Sequence, residues 1–135
     1  GGWACGRGRP GCGGVGEGGS AGDGAGVGAE TAARRLVADA GRRFDRNVAE
    51  AGGAVRCVSQ FTLLGDVRRG NRPSWSAAAP PEVAAPLVDA YARGLRGAGL
   101  QVATGVFGAD MRVRLVNDGP VTLVLDTADL VRPRG

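Results

Sequence analysis

Apolar residues recur at helical spacing in two parts of the chain. The first stripe predicts a helix over residues 30–44. Gly41 weakens this helix, and a C-cap at Gly41 that ends it early is the alternative. Its apolar positions are Ala33, Leu36, Val37, Ala40 and Phe44. The second stripe predicts a helix over residues 81–98, which begins at the Pro80-Pro81 pair because proline is tolerated in a first turn. Its apolar positions are Val83, Leu87, Tyr91 and Leu95.

Shorter apolar runs predict four strands. The run over residues 55–63 combines β-branched, small apolar and aromatic residues, and it carries several polar side chains that a buried strand would have to satisfy. Residues 100–104 are predicted to form a short strand. Residues 111–116 alternate apolar and charged positions, whereas residues 121–126 are apolar on both faces and predict an interior strand. For the run over residues 55–63, the alternative interpretation is an ordinary strand with one solvated face.

The N-terminal segment has a different composition. Residues 1–28 contain 14 glycines, and too few large apolar side chains to offset the entropy of ordering. This predicts disorder over residues 1–28, followed by one α/β domain over residues 29–135. Isoleucine, lysine and histidine are absent, and all 17 basic residues are arginine, which indicates a GC-rich gene. We hypothesise that the Gly-rich tract results from a wrong reading frame or start in such a gene.

The composition also limits the chemistry. Without histidine, Ser-His-Asp and Cys-His catalysis are excluded, and the three cysteines form no metal-binding pattern. Cys57 is predicted to pack as a small apolar side chain in a reducing, cytoplasmic environment. No apolar run is long enough to span a membrane. Backbone amides, hydroxyl groups and the substrate itself remain as sources of catalysis.

The net charge of +4 is compatible with a polyanionic partner. Arg68, Arg69 and Arg72 cluster directly after the first predicted strand, where they are placed to meet a phosphate backbone. A solvated loop is the alternative interpretation of this cluster.

Four sequence stretches then occur in a specific order. They are Ser59–Leu63 (SQFTL), Arg72–Trp75 (RPSW), Thr104–Met111 (TGVFGADM) and Leu115–Thr122 (LVNDGPVT). Together they resemble the D-aminoacyl-tRNA deacylases, once called D-tyrosyl-tRNA deacylases. The resemblance implies layered β-sheets with helices packed on one side, and a homodimer with a cross-subunit active site. The strand pair with which the family begins has no counterpart in this sequence.

The resemblance also implies an activity. Members of this family hydrolyse the ester that joins a D-amino acid, or glycine, to the 3′ end of tRNA, without a cofactor. The implied catalytic residues are Ser59, Gln60, Phe61 and Thr62. The backbone amides of Phe61 and Thr62 would hold the developing oxyanion, and the 2′-hydroxyl of the terminal adenosine would assist. Thr62 has also been suggested as the nucleophile in this family. We favour a positioning role, because the sequence offers no recognisable general base to activate its hydroxyl.

Two further sets of residues follow from the resemblance. Gly119 and Pro120 would form a chirality filter, joined by a cis peptide bond and inserted into the active site of the partner subunit. The pocket for the adenosine and the amino acid would be lined by Phe107, Gly108, Ala109 and Met111. Core packing is the alternative role for these four residues, and it is the favoured role for Met111. Two other functions remain open: an inactive relative that only binds tRNA or a protein partner, and a small α/β domain with an unrelated ligand.

Overall fold

The computed structural model describes residues 8–118 and 121–130, which form a mixed α/β fold. The elements in chain order are β1 (Gly8–Gly13), α1 (Ala21–Ala33), β2 (Val37–Ala38), β3 (Phe44–Arg46), β4 (Ala54–Ser59), a 3₁₀ turn (Phe61–Leu64), α2 (Pro81–Gly97), β5 (Gln101–Thr104) and α3 (Thr127–Leu130). The α/β class, the second predicted helix and the strand after it agree with the sequence prediction.

The main sheet has three parallel strands in the order β1-β4-β5. Gly11 pairs with Cys57 across β1 and β4, and Cys57 pairs with Thr104 across β4 and β5. Because all three strands are parallel, their carboxyl ends meet at one edge of the sheet. The second sheet is the antiparallel pair β2-β3.

The core lies where α2 meets α1 and the sheet. Its buried cluster is Ala32, Val48, Val55, Leu95 and Leu100, with Tyr91 and Val102 packed against it. Leu95 is fully buried, so the four-residue apolar repeat of α2 does mark its inner face. Among the described residues, no helix has both the length and the apolar character that crossing a bilayer requires.

For residues 8–28, the structure differs from the prediction of disorder. Within that segment, β1 pairs with β4 and α1 begins at Ala21. A reciprocal capping box starts the helix: the Asp23 N–H donates to Ser20 Oγ (3.2 Å), and the Ser20 N–H donates to Asp23 Oδ2 (2.9 Å). The glycine-rich composition suits close packing here, because two glycines of α1, Gly24 and Gly28, lie against the backbone of α2. The predicted boundary at residues 28–29 falls inside α1.

The helix predicted over residues 30–44 is wrong beyond Ala33. The chain instead turns back as the hairpin β2-β3. Asp39 explains the change, since its carboxylate accepts a hydrogen bond from the Arg43 N–H (2.9 Å) and so favours a turn over a helix. Arg42 has a left-handed backbone (φ 62°), and Gly41 lies within this turn rather than at a helix C-cap.

The strands predicted over residues 111–116 and 121–126 are also wrong for this single chain. Both runs are irregular, and Val116 and Val124 are 92% and 90% exposed. A strand forms only where a neighbouring strand accepts its backbone hydrogen bonds. The alternating pattern thus records side chains suited to a sheet, but no strand of the described chain pairs with them.

Cys57 packs as predicted. Its side chain is 1% exposed at the centre of β4, and burial raises the pKa of the thiol from 9.0 to about 11. Nearby, the Tyr91 hydroxyl donates a hydrogen bond to Thr31 Oγ1 (3.2 Å). Burial also raises the pKa of Tyr91. Both groups are therefore held in their neutral forms by the core.

We expect the fold to lose stability as the pH rises from 9 to about 11. Below pH 9, Cys57 is protonated in both the folded and the unfolded chain. Above it, the unfolded thiol loses its proton while the folded thiol keeps its own, so the unfolded state binds fewer protons and is favoured. Tyr91 adds an effect of the same sign. Urea unfolding across this range measures the loss, and Cys57→Ala should reduce its pH dependence; an unchanged slope in the variant would contradict the assignment to Cys57.

Candidate functional site

The candidate site lies at the sheet edge where β1, β4 and β5 end. The Gln60 N–H, just after β4, donates to the Gly13 carbonyl oxygen at the end of β1 (2.8 Å). The Gly105 N–H, just after β5, donates to the Cys57 carbonyl oxygen (3.2 Å). The segments that follow the three strands are therefore tied together at one edge. In open parallel sheets, this edge is where ligands bind.

The segment after β4 is a tight turn rather than the predicted continuation of the strand. Ser59 is the last residue paired with β1, and Phe61–Leu64 form a single 3₁₀ turn. The Leu63 N–H donates to the Gln60 carbonyl oxygen (3.3 Å). Gly14 makes room for this turn, since a Cβ there would lie 3.1 Å from the Gln60 carbonyl oxygen.

The start of this turn offers two backbone donors. The amides of Phe61 and Thr62 are the first two of the turn, so neither has an acceptor within it. The preceding residue, Gln60, makes no capping hydrogen bond to them. Instead, its side-chain amide donates to Thr62 Oγ1. Phe61 and Thr62 are both exposed, so this part of the turn lies at the surface.

The segment after β5 holds the four residues predicted to line a pocket, Phe107, Gly108, Ala109 and Met111. The Ala109 N–H donates to the Val106 carbonyl oxygen (3.1 Å) and closes a turn, in which Gly108 adopts a left-handed backbone (φ 75°). Met111 packs on Gly105, where an added Cβ would lie 2.6 Å from the Met111 Sδ. These residues thus share the sheet edge with the 3₁₀ turn.

An aromatic contact joins the 3₁₀ turn to the arginine-rich loop. The rings of Phe61 and Trp75 meet edge to face, with centroids 5.8 Å apart. The Trp75 ring also covers Gly65, where a Cβ would lie 3.0 Å from Nε1. Trp75 therefore ties the arginine-rich loop to the 3₁₀ turn.

The three arginines of the loop differ in their surroundings. Arg68 forms an ion pair with Asp66 (NH2 to Oδ2, 2.7 Å), and these hydrogen bonds hold the pKa of the Asp66 carboxyl below its usual value. Arg69 and Arg72 are exposed. Among the described residues, no carboxylate lies within ion-pair distance of either one.

Sequence reasoning missed Gly14 and Asp66 as parts of this region. Gly14 was hidden in a segment interpreted as disordered. Asp66 lies next to an arginine cluster, and its bridge to Ser74 closes the loop that carries all three arginines. A short polar segment with an acid and a serine at its two ends was the available signal.

Two further expectations concern the Gly119-Pro120 pair and metal binding. Gly119 and Pro120, predicted as a cis-linked chirality filter, lie outside the described residues. Within the described ranges, no group of three or more His, Cys, Asp and Glu side chains is placed to hold a metal ion. The groups that the described residues place at the edge include backbone amides, hydroxyls and guanidinium groups.

The sequence of this chain matches a known family. The family model for D-Tyr-tRNA(Tyr) deacylase matches residues 13–126, which includes residues 13–28 of the Gly-rich segment. A D-aminoacyl-tRNA deacylase of Roseiflexus sp. (strain RS-1) is 58% identical over 105 residues, 78% of this chain and 68% of the relative. One of Chloroflexus aurantiacus is 57% identical over 100 residues, 74% of this chain and 62% of the relative. The chain thus spans about two thirds of the length of these curated relatives.

A solved structure is similar as well. The structure of the c-Myc DNA Unwinding Element Binding Protein superposes with a TM-score of 0.81 at 31% sequence identity. The match covers 90% of this chain and 83% of that one. Since the coverage is high on both sides, the likeness extends over most of both chains.

Proposed function

The chain belongs to the D-Tyr-tRNA(Tyr) deacylase family, and we propose that it hydrolyses the ester bond of D-aminoacyl-tRNA. The products are the free D-amino acid and tRNA, and glycine attached to tRNA is a second substrate. The observation that carries this proposal is the pair of available backbone amides at Phe61 and Thr62, placed at the ligand-binding edge of a parallel sheet. The chain acts in the cytoplasm, where charged tRNA is used.

The backbone amides carry the main catalytic step. Attack on the ester carbonyl develops negative charge on its oxygen, and N–H groups fixed by a turn can stabilise that charge without reorganising. The first amides of the turn have this property, because their geometry is set by the hydrogen bonds that follow them along the chain. Ser59 and Gln60 hold the turn at the end of β4.

Thr62 positions groups rather than attacking the ester. Its Oγ1 accepts a hydrogen bond from the Gln60 side-chain amide, which withdraws electron density from the oxygen. Activation would instead require a base to take its proton, and the chain has no histidine. The 2′-hydroxyl of the terminal adenosine then supplies the assistance that no side chain provides.

The pocket for the substrate is formed by the loop that follows β5. Phe107, Gly108, Ala109 and Met111 would contact the adenosine and the amino acid. Phe107 is 39% exposed, so part of its ring is available for stacking against a base. Arg68, Arg69 and Arg72 would contact the tRNA backbone from the neighbouring loop.

Selection of the D form, and the dimer, are linked in this proposal. Gly119 and Pro120 would enter the active site of a second copy and exclude an L side chain by steric clash near the α-carbon. The unpaired apolar run around them supports pairing with a second copy: Leu115 and Leu123 are 56% and 54% exposed. Isolated apolar side chains are common on surfaces, but a continuous exposed run marks an interface.

Hydrolysis of D-tyrosyl-tRNA and of L-tyrosyl-tRNA by the purified protein tests this function. We expect loss of the D ester alone, because the filter rejects the L side chain. The mass in solution should correspond to two chains. Equal hydrolysis of both esters would contradict the chirality filter. Binding of tRNA without turnover of either ester would contradict the enzymatic proposal and favour an inactive, tRNA-binding relative.

A further inference from the structure

An open pocket of about 500 Å³ lies beside the 3₁₀ turn. It is lined by Asp66, Arg68, Arg69, Ser74 and Ser76. Arg72, in the same loop, is not among its lining residues. The three arginines therefore do not form a uniform basic surface, since two of them share a concave site with hydroxyl groups.

The frame of this pocket is fixed by backbone hydrogen bonds. The Asp66 N–H donates to the Ser74 carbonyl oxygen (2.7 Å), and the Ser74 N–H donates back to Asp66 (2.9 Å). The residues after Ser74 are tied to the N-terminal segment, where the Ala79 N–H donates to the Val15 carbonyl oxygen (2.8 Å). Together with the contact between Phe61 and Trp75, these bonds fix the distance from the pocket to the candidate catalytic turn.

The charges inside the pocket are only partly balanced. Asp66 is occupied by Arg68, whose Nε donates to Oδ1 (2.9 Å) and whose NH2 donates to Oδ2 (2.7 Å). This ion pair leaves the outer N–H groups of Arg68 available in a fixed orientation. Arg69 has no carboxylate partner among the described residues. The pocket therefore keeps an excess of one positive charge.

Hydroxyl groups complete the set of donors. The Ser74 hydroxyl donates to Ser76 Oγ (3.3 Å), which leaves the Ser76 hydroxyl proton without an acceptor among the described residues. A guanidinium group, the edge of a second guanidinium and a hydroxyl together provide several N–H and O–H donors around one concave space. A tetrahedral oxyanion such as a phosphate group is the ligand that satisfies such a set.

We propose that this pocket binds one phosphodiester group of the tRNA acceptor end, with Arg69 as the main cation and Ser76 as a hydroxyl donor. The proposal rests on the proposed function and deepens it. Because the pocket is held at a fixed distance from the 3₁₀ turn, a phosphate bound there places the 3′-terminal ester over that turn. Arg68 is held by Asp66 and contributes direction rather than net charge.

The test measures RNA binding, so that it does not depend on turnover. The probe is a short single-stranded RNA with the tRNA 3′-terminal sequence, and its affinity is measured by fluorescence anisotropy over a range of salt concentrations. We expect Arg69→Gln to weaken binding about tenfold, since a hydrogen bond to a charged group is lost. The slope of log K against log salt should fall by about 0.7 for the one phosphate released from contact with Arg69.

Arg93→Gln is the matched control for net charge. Arg93 is exposed on α2 and has no part in the proposed site, so its replacement should leave both the affinity and the salt slope close to those of the unaltered protein. Equal losses in the two variants would mean that binding follows overall charge, and would overturn the pocket assignment.

A change in the probe identifies the phosphate itself. Terminal phosphodiester linkages are replaced one at a time by a neutral methylphosphonate, and at one position this should weaken binding to the unaltered protein by a similar factor. The same replacement should have little further effect in Arg69→Gln, because the two changes remove one interaction. If the losses of affinity caused by Arg69→Gln and by the methylphosphonate are fully additive, the proposal is overturned. It is also overturned if inorganic phosphate binds in the pocket without competing with the RNA. Absence of ester hydrolysis with these binding results intact would reject the proposed function alone.

Discussion

Alanine in place of Gly28 is expected to lower the free energy of unfolding by about 2 kcal/mol, although alanine is the better helix former. A Cβ at this position of α1 would lie 2.8 Å from the Tyr91 carbonyl oxygen and 3.2 Å from the Gly94 Cα, both backbone atoms of α2. Backbone cannot move aside as a flexible side chain can, so the helices would have to separate. That movement would loosen the core around the fully buried Leu95.

Gly26→Ala provides a control within the same helix. An added Cβ at Gly26 meets no atom within 4 Å, so only the helix preference of alanine remains, and we expect a gain of about 0.5–1 kcal/mol. Urea midpoints of the two variants should therefore move in opposite directions. A gain of stability in both variants would show that α1 and α2 do not pack this closely, and would place the N-terminal segment outside the core.

The close approach of these helices explains why composition gave the wrong prediction for residues 8–28. Disorder is the usual consequence of high glycine content, because such residues bury little and lose much entropy. In this chain, glycines at 24 and 28 instead allow α1 to touch the α2 backbone, and the capping box at Ser20 fixes where the helix begins. The Ser-x-x-Asp spacing was visible in the sequence, but the neighbouring helix that benefits from the glycines was not.

Local signals sufficed where one element depends mainly on its own residues. The apolar repeat ending at Leu95 correctly predicted α2, and the four ordered motifs correctly predicted the family, which the matched family model and the curated relatives confirm. The stripe over residues 30–44 failed because Asp39 caps a turn in the middle of it. The strands predicted over residues 111–126 failed because a strand is defined by a partner, which a periodicity does not supply.

In the candidate site too, local residues predicted some features, while others depend on a neighbouring strand. The motif at residues 59–63 spans the end of β4, and its second half is a turn and not the predicted strand. A single residue pattern does not show that β1 ends opposite Ser59 and that Gly14 makes room there for the chain to bend. The resemblance already named the amides of Phe61 and Thr62 as donors, and the structure adds the bend that leaves both without an acceptor within the turn.

Proline in place of Phe61 is expected to lower kcat for D-tyrosyl-tRNA by about 100-fold or more, because it removes one of the two proposed oxyanion donors. Proline has no N–H, but the position otherwise accommodates it. Phe61 is the first residue of the turn, where proline is tolerated. Gln60, which precedes it, lies outside the helical region that is disfavoured before a proline (φ −145°, ψ 85°).

Phe61→Ala separates the donor from the ring. Both variants lose the edge-to-face contact with Trp75 and expose the same loop, but only Phe61→Pro loses the amide. We therefore expect Phe61→Ala to keep most of kcat, and the ratio of the two variants to report the N–H itself. The KM should change similarly in both, because the donor acts on charge that develops only in the transition state. Equal kcat values for the alanine and proline variants, with unfolding midpoints that also agree, would remove this amide from the mechanism and leave Thr62 as the only backbone donor at the turn.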